Sequence, residues 1–404
     1  MSTSLLYRAF GVRGYQYHAT KYAGNTMTFL ITQPRHTYRC PQCGSKDVIG
    51  RGQTVRIFRS LPIGDHPTFI SLPVPRVECR RCNVIRQVKI PFAEPRRTYT
   101  RAFARYALAI SRMMTIKDAA LRLGVSWDVV KEIQKKYLTK KYAKPKLRHL
   151  RQIAIDEISV GKGHKYITIV MDLESGAVVH VGDGKGGDAL LPFWKRLRRS
   201  GAKIEAVATD MSPAYISAVT THLPGAALIF DRFHVIKLYN EKLTGLRRAM
   251  YRELEDTMEK EVLKGTRWLL LKRPENLDAS RKESERLEEA LRLNKPLATA
   301  YYLKEDLRQL WGLPNKHSAA RFLEDWIARA RATGIAQLGQ MANTMSLFRE
   351  GVLAYYDEPI STGPLEGTNT KIKLLQRQAY GYRDQEFFRL RIFALHETRF
   401  ELVG

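Results

Sequence analysis

The four cysteines of this chain fall in two pairs, Cys40-Pro41-Gln42-Cys43 and Cys79-Arg80-Arg81-Cys82. No other feature restricts the local fold so tightly. A two-residue gap lets both thiolates of a knuckle reach one ion, and Gly44 relaxes the turn after the first pair. In a cytosolic chain the pattern argues for one structural, tetrahedral Zn²⁺ on Cys40, Cys43, Cys79 and Cys82, not for disulfides. The 35 residues between the pairs exceed the commonest spacing. They read as strands at 54–59 and 68–72, forming a ribbon with the knuckles at one end. Arg80 and Arg81, inside the second knuckle, point to phosphate contact.

Charge is unevenly placed along the 404 residues. Residues 1–150 hold 29 Lys and Arg against 7 Asp and Glu, a net +22, and the remainder only +6 of the total +28. The N-terminal third is therefore suited to a polyanion, most plausibly nucleic acid. An anionic membrane surface is the rival, but neither a lipidation motif nor an 18-residue apolar span supports it. With no basic segment followed by a long apolar one at the N-terminus, a cytoplasmic, nucleoid-associated location is expected.

After residue 95 the texture turns helical. Residues 100–113 carry Phe103, Ala107 and Ile110 on one face. Residues 115–138 then read as a helix-turn-helix: Ala119, Ala120 and Leu123 line the first helix, Gly124 allows the turn, and Ser126 can cap the second. Trp127, Asp128, Lys131, Glu132 and Lys135 form the face that could enter a major groove. Small helical hairpins of other purpose share the pattern, but here it follows a zinc ribbon. Residues 140–148 are a basic linker.

From residue 151 the pattern becomes α/β. Strands are expected at 153–155, 165–173, 177–181, 204–209 and 227–230, with helices at 188–199 and 213–222. The first strand would end at Asp156 and the fourth at Asp210. A carboxylate closing a buried strand is costly unless it meets a cation or a donor. Three antiparallel strands, a helix, a parallel strand, a helix and a parallel strand make the order of an RNase H-like fold, in which Asp156 and Asp210 would be neighbours. Residues 235–345 lose all strand character and read as helices, for example 251–271, 280–293 and 298–311, broken at Pro274, Pro296 and Pro314. Trp268 among them is read as a core residue in preference to a base-stacking one.

The last marked stretch, 355–384, is YYDEPISTGPLEGTNTKIKLLQRQAYGYRD. Ser361 or Thr362 can cap a helix, Pro364 suits its first turn, and Glu366 lies just inside. Gly367 costs ~1 kcal/mol relative to Ala in a helix, which suggests that something approaches the backbone there. Thr370, Lys373 and Arg377 follow Glu366 at helical spacing and, with Lys371, offer cations for phosphate.

The combination of CxxC…CxxC, helix-turn-helix, IAIDE, ATDMSPAY, FDRFHV and STGPLEGTNTKIKLLQRQAYGYRD resembles the transposases of the ISL-three family of bacterial insertion sequences. The resemblance covers nearly the whole chain. It implies a DDE active site on an RNase H-like fold, mapping onto Asp156, Asp210 and Glu366, and Asp231 with His234 as the accessory Asp/Cys-x-x-His signature. The expected layout is an N-terminal segment of open role (1–35), a zinc ribbon (36–95), a helix-turn-helix domain (96–148), the first part of the catalytic core (149–240), a helical insertion (241–345) and the part of the core carrying the third acid (346–404).

Three carboxylates fit the chemistry independently of the name. DNA cleavage and joining are in-line displacements at phosphorus, served by two Mg²⁺ ions ~3.5–4 Å apart, with Mn²⁺ as a substitute. The expected partners are double-stranded DNA, both terminal inverted repeats and target, and at least a second copy of the chain to synapse two ends. The rival classes are a non-catalytic zinc-ribbon and helix-turn-helix regulator, and an RNase H-like structure-selective nuclease. Three placed acids argue against the first, and strand transfer separates the second.

Overall fold

Thr68–Cys79 buries Thr68, Ile70, Leu72 and Val74 in alternation, the period of a strand with one face on a core. It is the central strand, β4, of the first of two units into which the chain divides after Ala143. The computed structural model describes residues 2–161, 163–253, 262–263 and 266–397.

In the first unit a helix, α1 (Ser2–Phe10), precedes β1 (Gln16–Ala23), β2 (Thr26–Thr32) and β3 (Val48–Arg59). The sheet order is β1-β2-β4-β3, with β5 (Ile85–Gln87) also on β4. The first 35 residues, without a motif of their own, thus supply two strands, β2 running parallel to β4. Their Leu6, Phe10, Phe29 and Ile31 share one core with Phe58, Ile70 and Leu72. Both ribbon strands exceed the expected spans because β3 and β4 stay paired from Arg59↔Phe69 to Val48↔Cys79, interrupted between Gly50 and Gln53. There Gly52 takes φ +83°, open to glycine without strain.

Three helices follow: α2 (Arg101–Met113), α3 (Ile116–Leu123) and α4 (Trp127–Tyr142). Thr100 caps α2 by accepting from Phe103 N at 3.1 Å, and Thr115 caps α3 by accepting from Asp118 N at 3.1 Å. Gly124 ends α3 at φ +61°. Ser126 stands at the N-cap of α4, but its hydroxyl makes no capping hydrogen bond, contrary to the expected role. Buried Arg59 ties ribbon to helices: it donates to Leu123 O at 2.9 Å, at the negative end of α3, and lies 5.0 Å from the Phe69 ring centroid.

In the second unit β6 (Gln152–Gly161), β7 (Lys165–Asp172) and β8 (Val178–Asp183) are antiparallel. Helix α5 (Leu191–Ser200) leads to β9 (Ala206–Thr209), and α6 (Pro213–His222) to β10 (Ala227–Phe230). The order is β10-β9-β6-β7-β8, with β9 parallel to both β6 and β10. A Cβ on Gly182 would stand 2.1 Å from Ala189 O, so glycine alone lets the turn before α5 close on β8. One sheet face packs Ile153, Ile155, Val170 and Val207 against Phe193, Trp194 and Tyr215.

Helices alone occupy the described residues between β10 and 353: α7 (Arg232–Glu253), α8 (Arg267–Leu271), α9 (Glu283–Leu293), α10 (Lys295–Gln309), α11 (Lys316–Ala332), α12 (Ala336–Leu347) and α13 (Arg349–Leu353). Of the helix expected at 251–271, residues 254–261, 264 and 265 lie outside the described residues. Pro296 does not break a helix; it sits in the first turn of α10, where its missing N–H costs nothing. Trp268 is not a core residue. It is 64% exposed, because five-residue α8 turns Leu269 and Leu270 inward, and the Arg267 guanidinium covers the ring at 4.7 Å. Tyr239 and Trp326 centre this block, donating to Ala300 O and Leu303 O. Helices α14 (Gly363–Gln378) and α15 (Gln385–Phe393) complete the unit, packing Leu365, Ile372, Leu375 and Phe388 against Ala154, Ile158 and Ile169 on the other sheet face. No helix among the described residues is long and apolar enough to cross a membrane.

Candidate active site

Asp156 does not close its strand as expected. It lies in mid-β6, paired with Ile169, because β6 continues to Gly161 along β7. The true ending is on the other side: β9 pairs with β6 only as far as Ala154↔Ala208. Asp156 therefore projects just past the last rung of that ladder, and Asp210 is the residue that follows β9. Strand alternation puts Asp156 on the face of Ala154 and Ile158, which α14 covers, and Glu157 on the opposite face. There Glu157 accepts from Tyr215 Oη at 3.3 Å.

Helix α14 brings the third acid. Leu365, Thr368 and Ile372 are buried on the sheet, which leaves Glu366 and Asn369 on the flank toward Asp156. Asn369 Nδ2 donates to Asp156 Oδ2 at 2.8 Å, and Glu157 N donates to Oδ1 at 2.7 Å. Asp210 accepts from Ser212 N at 3.1 Å, opening α6. Of the two expected caps, Ser361 Oγ accepts from Gly363 N at 3.3 Å, and Thr362 stands at the N-cap of α14 without a capping side-chain bond. Its N–H, at 2.6 Å, and its hydroxyl both donate to Asp231 Oδ2, so the helix start is anchored to the end of β10. Phe233 N donates to the other oxygen of Asp231 at 2.7 Å. Asp231 thus ties the starts of α14 and α7 to the end of β10. At Gly367 an added Cβ would meet nothing within 4 Å among the described residues, so none of them closes on that position.

Burial raises the proton affinity of Asp156, and the Asp210 carboxylate adds to it, while the Glu157 N–H, His234 and Asn369 oppose it. Burial likewise raises Glu366, assisted by Asp231 and Asp156 and opposed by His234 and Lys237. Asp156, Asp210, Asp231, His234 and Glu366 therefore share one electrostatic neighbourhood. His234 Nε2 and Glu366 Oε1 face each other at 4.0 Å, and both are buried without a hydrogen-bond partner. Buried polar atoms left so are costly, and a hard oxygen set with an unfilled acceptor fits a divalent cation. Asp156, Asp210 and Glu366 are the residues that would hold it. They do not converge as a closed cage: among the described residues, the cysteines are the one set of three or more such ligands within 4.8 Å of one another. Asn369 escapes the sequence reading, although it stands one helical turn after Glu366, and Thr362 is legible there only as a cap, not as the partner of Asp231.

The raised acids give a signed pH expectation. A carboxyl that binds its proton more tightly folded than unfolded withdraws stability as pH rises past the carboxylate range. A bound cation returns that stability. Mg²⁺ at about 100 times its Kd should add ~2.7 kcal/mol near pH 7, read as a thermal shift. The shift should shrink as pH falls toward the carboxylate range and be lost in Asp156→Asn. A shift that is unchanged by the variant would place the ion elsewhere.

In the first unit the knuckles meet: Cys40 Sγ lies 3.6 Å from Cys82 Sγ and Cys43 Sγ 3.6 Å from Cys79 Sγ, and all four sulfurs fall within 4.8 Å of one another. All four are free thiols, a soft tetrahedral donor set that suits Zn²⁺. Of the expected DNA-contact residues, Arg80 and Arg81 are exposed, Arg80 lying 3.9 Å from Asp47. Lys131 lies on the α4 face with Trp127, its Nζ 5.8 Å from the ring centroid, and Lys135 one turn on. Glu132, on the same face, is paired with Arg97. Lys373 and Arg377 are exposed on α14 and Lys371 is half-buried.

Comparison with known proteins gives three adjoining matches. Residues 153–392 match the ISL3 DDE family profile, described as a transposase. Residues 88–138 match the helix-turn-helix domain of transposase family ISL3, and residues 36–82 the zinc-finger of transposase IS204/IS1001/IS1096/IS1165. The transposase for insertion sequence element IS1001 of Bordetella parapertussis is 32% identical, with 92% of each chain covered. That for IS1557 of Mycobacterium tuberculosis is 29% identical over 86% of this chain and 83% of its own. A Drosophila P element transposase strand transfer complex aligns with 66% of this chain and 81% of its own, at 13% identity and a TM-score of 0.35, too remote to bear on the fold.

Proposed function

The chain belongs to the ISL3 family of transposases, and from that premise we propose that it cleaves the DNA ends of an insertion sequence and joins them to target DNA through Asp156, Asp210 and Glu366. What supports the reading is that Asp156 lies just past the last rung of the β6–β9 ladder and Asp210 just after β9, while Glu366 on α14 is near enough to Asp156 for its proton affinity to be raised by it. The strand order of the second unit supports an RNase H-like core over 149–240 and 346–404, with 241–345 as its helical insertion.

Two divalent cations, Mg²⁺ by preference, would supply the charge that activates water or a 3′-hydroxyl and steadies the leaving oxygen. The rest belongs to the chain. Asn369 and the Glu157 N–H fix the Asp156 carboxylate, so its lone pairs are aimed before substrate arrives. Asp231, through Thr362, holds the start of α14 and with it Glu366. His234 faces Glu366 and can hold a proton on Nε2 beside it. Lys371, Lys373 and Arg377 carry the DNA phosphates along α14, and no covalent protein intermediate is needed. The unit ending at Ala143 reads the terminal inverted repeats, with α4 in the major groove and Arg80 and Arg81 on phosphates. Synapsis of two ends calls for at least a dimer.

The test is strand transfer by the full chain on DNA carrying the element's terminal repeats, with Mg²⁺ or Mn²⁺. Joined products are expected. Cleavage without joining would favour a nuclease, and binding alone a regulator. Affinity should fall with salt by ~0.9 in log–log slope per neutralised phosphate. Lys131→Ala and Lys135→Ala should erode preference for the repeat over random DNA. Full preference in both would move the reading helix elsewhere.

A further inference from the structure

Beside the first cysteine knuckle lies a cleft of about 330 Å³, formed where the N-terminal strands meet the ribbon. Its volume is in the range of small-ligand pockets, about 300–1,000 Å³. Three cations line it, Arg13, Arg39 and Lys89, and no carboxylate does. Arg39 is pre-positioned, donating to Tyr38 O at 2.6 Å and to His36 O at 2.9 Å. Arg13 and Lys89 are exposed, from different parts of the chain. Tyr15 and Gln33 also line the cleft. Tyr15 is 7% exposed, and both its hydroxyl and Gln33 Oε1 are buried without a partner.

An orphaned buried hydroxyl costs stability that folding could recover with a phenylalanine. Burial pushes the Tyr15 phenol up to about 12, so it stays a donor at any physiological pH. A donor and three cations call for phosphate, which has acceptors only. Gln33 Oε1 asks for a donor beside it, which a base amine supplies and the phosphodiester itself does not. We propose that this cleft is a nucleotide-binding site, holding one phosphate of bound DNA on Arg13, Arg39, Lys89 and Tyr15 with the attached nucleoside beside Gln33. It gives the first 35 residues a role in DNA binding that no motif announces. The inference rests on the reading that the chain binds DNA.

Fluorescence anisotropy of the full-length, zinc-loaded protein on labelled terminal-repeat duplex tests it, with dAMP and inorganic phosphate titrated separately by thermal shift. Tyr15→Phe should keep or raise the melting temperature while weakening DNA binding several-fold. Arg13→Gln with Lys89→Gln should lower the log–log salt slope by roughly 0.9 for each phosphate left without its cation. Wild-type binding with both variants unchanged overturns the site but not the function, whereas wild type that binds no DNA overturns the function itself. Phosphate or dAMP binding that Tyr15→Phe weakens, with duplex affinity intact, makes it a free-anion site and overturns the DNA assignment. Loss of zinc with unchanged DNA affinity would show that the cations serve the negative zinc tetrathiolate, and would also overturn it.

Discussion

Asp156→Asn, Asp210→Asn and Glu366→Gln should each lower cleavage and strand transfer by about 10³-fold or more, with repeat binding and zinc content intact. The size follows from charge: a divalent ion at phosphorus is worth several kcal/mol, and each 1.36 kcal/mol is tenfold in rate. The amides keep shape while removing the ligand charge. Asp156→Asn and Glu366→Gln should also stabilise the apo protein slightly, because burial already pushes these two acids toward the neutral form. Glu157→Gln is the control, since that side chain faces Tyr215 across the sheet and not the acids. Asp172→Asn is a poorer one. Asp172 is 1% exposed and accepts from Ser175 N and hydroxyl, so the change reports on stability. Asp231→Asn should reduce turnover and melting temperature together, through Thr362. If Glu366→Gln cuts DNA normally while Glu358→Gln does not, the third acid is misassigned.

The sequence carried the β-branched runs, their order and the acids at their ends, because the strands of a sheet buried on both faces announce themselves as apolar runs between turn residues. The three antiparallel strands, both crossover helices and the cysteine cluster were all readable that way. What stayed hidden depends on partners far away in sequence. Whether Asp156 ends a strand is decided by where β9 stops, and the β7 partner carries β6 five residues further. Thr362 reads as an N-cap by local rules, yet Asp231, 131 residues earlier, takes its hydroxyl and N–H. The same holds for Asn369 on Asp156. Trp268 reads as a core residue by type alone, but α8 is too short to bury more than one side, and the side it buries carries Leu269 and Leu270. The first two strands lack any motif, and only their pairing with β4 reveals them.

Loss of zinc should be the largest single blow to the first unit. Purified protein in reducing buffer should carry about one Zn²⁺ per chain, and Cys40→Ser or Cys82→Ser should remove it. In the apo cluster the Cys43 N–H holds the Cys40 thiol down to about 6, whereas burial pushes Cys82 up to about 12. Neutral solution therefore leaves some sulfurs protonated, and four thiolates within 4.8 Å cannot coexist without a cation. Metal binding must expel those protons, so zinc retention should fall as pH drops through the range of Cys40, the sign opposite to that of a protonated ligand. An ion on the four cysteines would clasp Val48↔Cys79 and Ile49↔Glu78, the far end of the β3–β4 ladder. Its binding is worth on the order of 10 kcal/mol or more in small zinc modules. Here the apolar core of Phe58, Ile70 and Leu72 with Leu6 and Phe10 lies nearer the other end and supplies part of the stability itself. The expected outcome is a lowered first melting transition, lost DNA binding and an unmoved second transition for the unit from Lys144. Soluble, folded, DNA-binding protein with no zinc by metal analysis would overturn this assignment of the four cysteines.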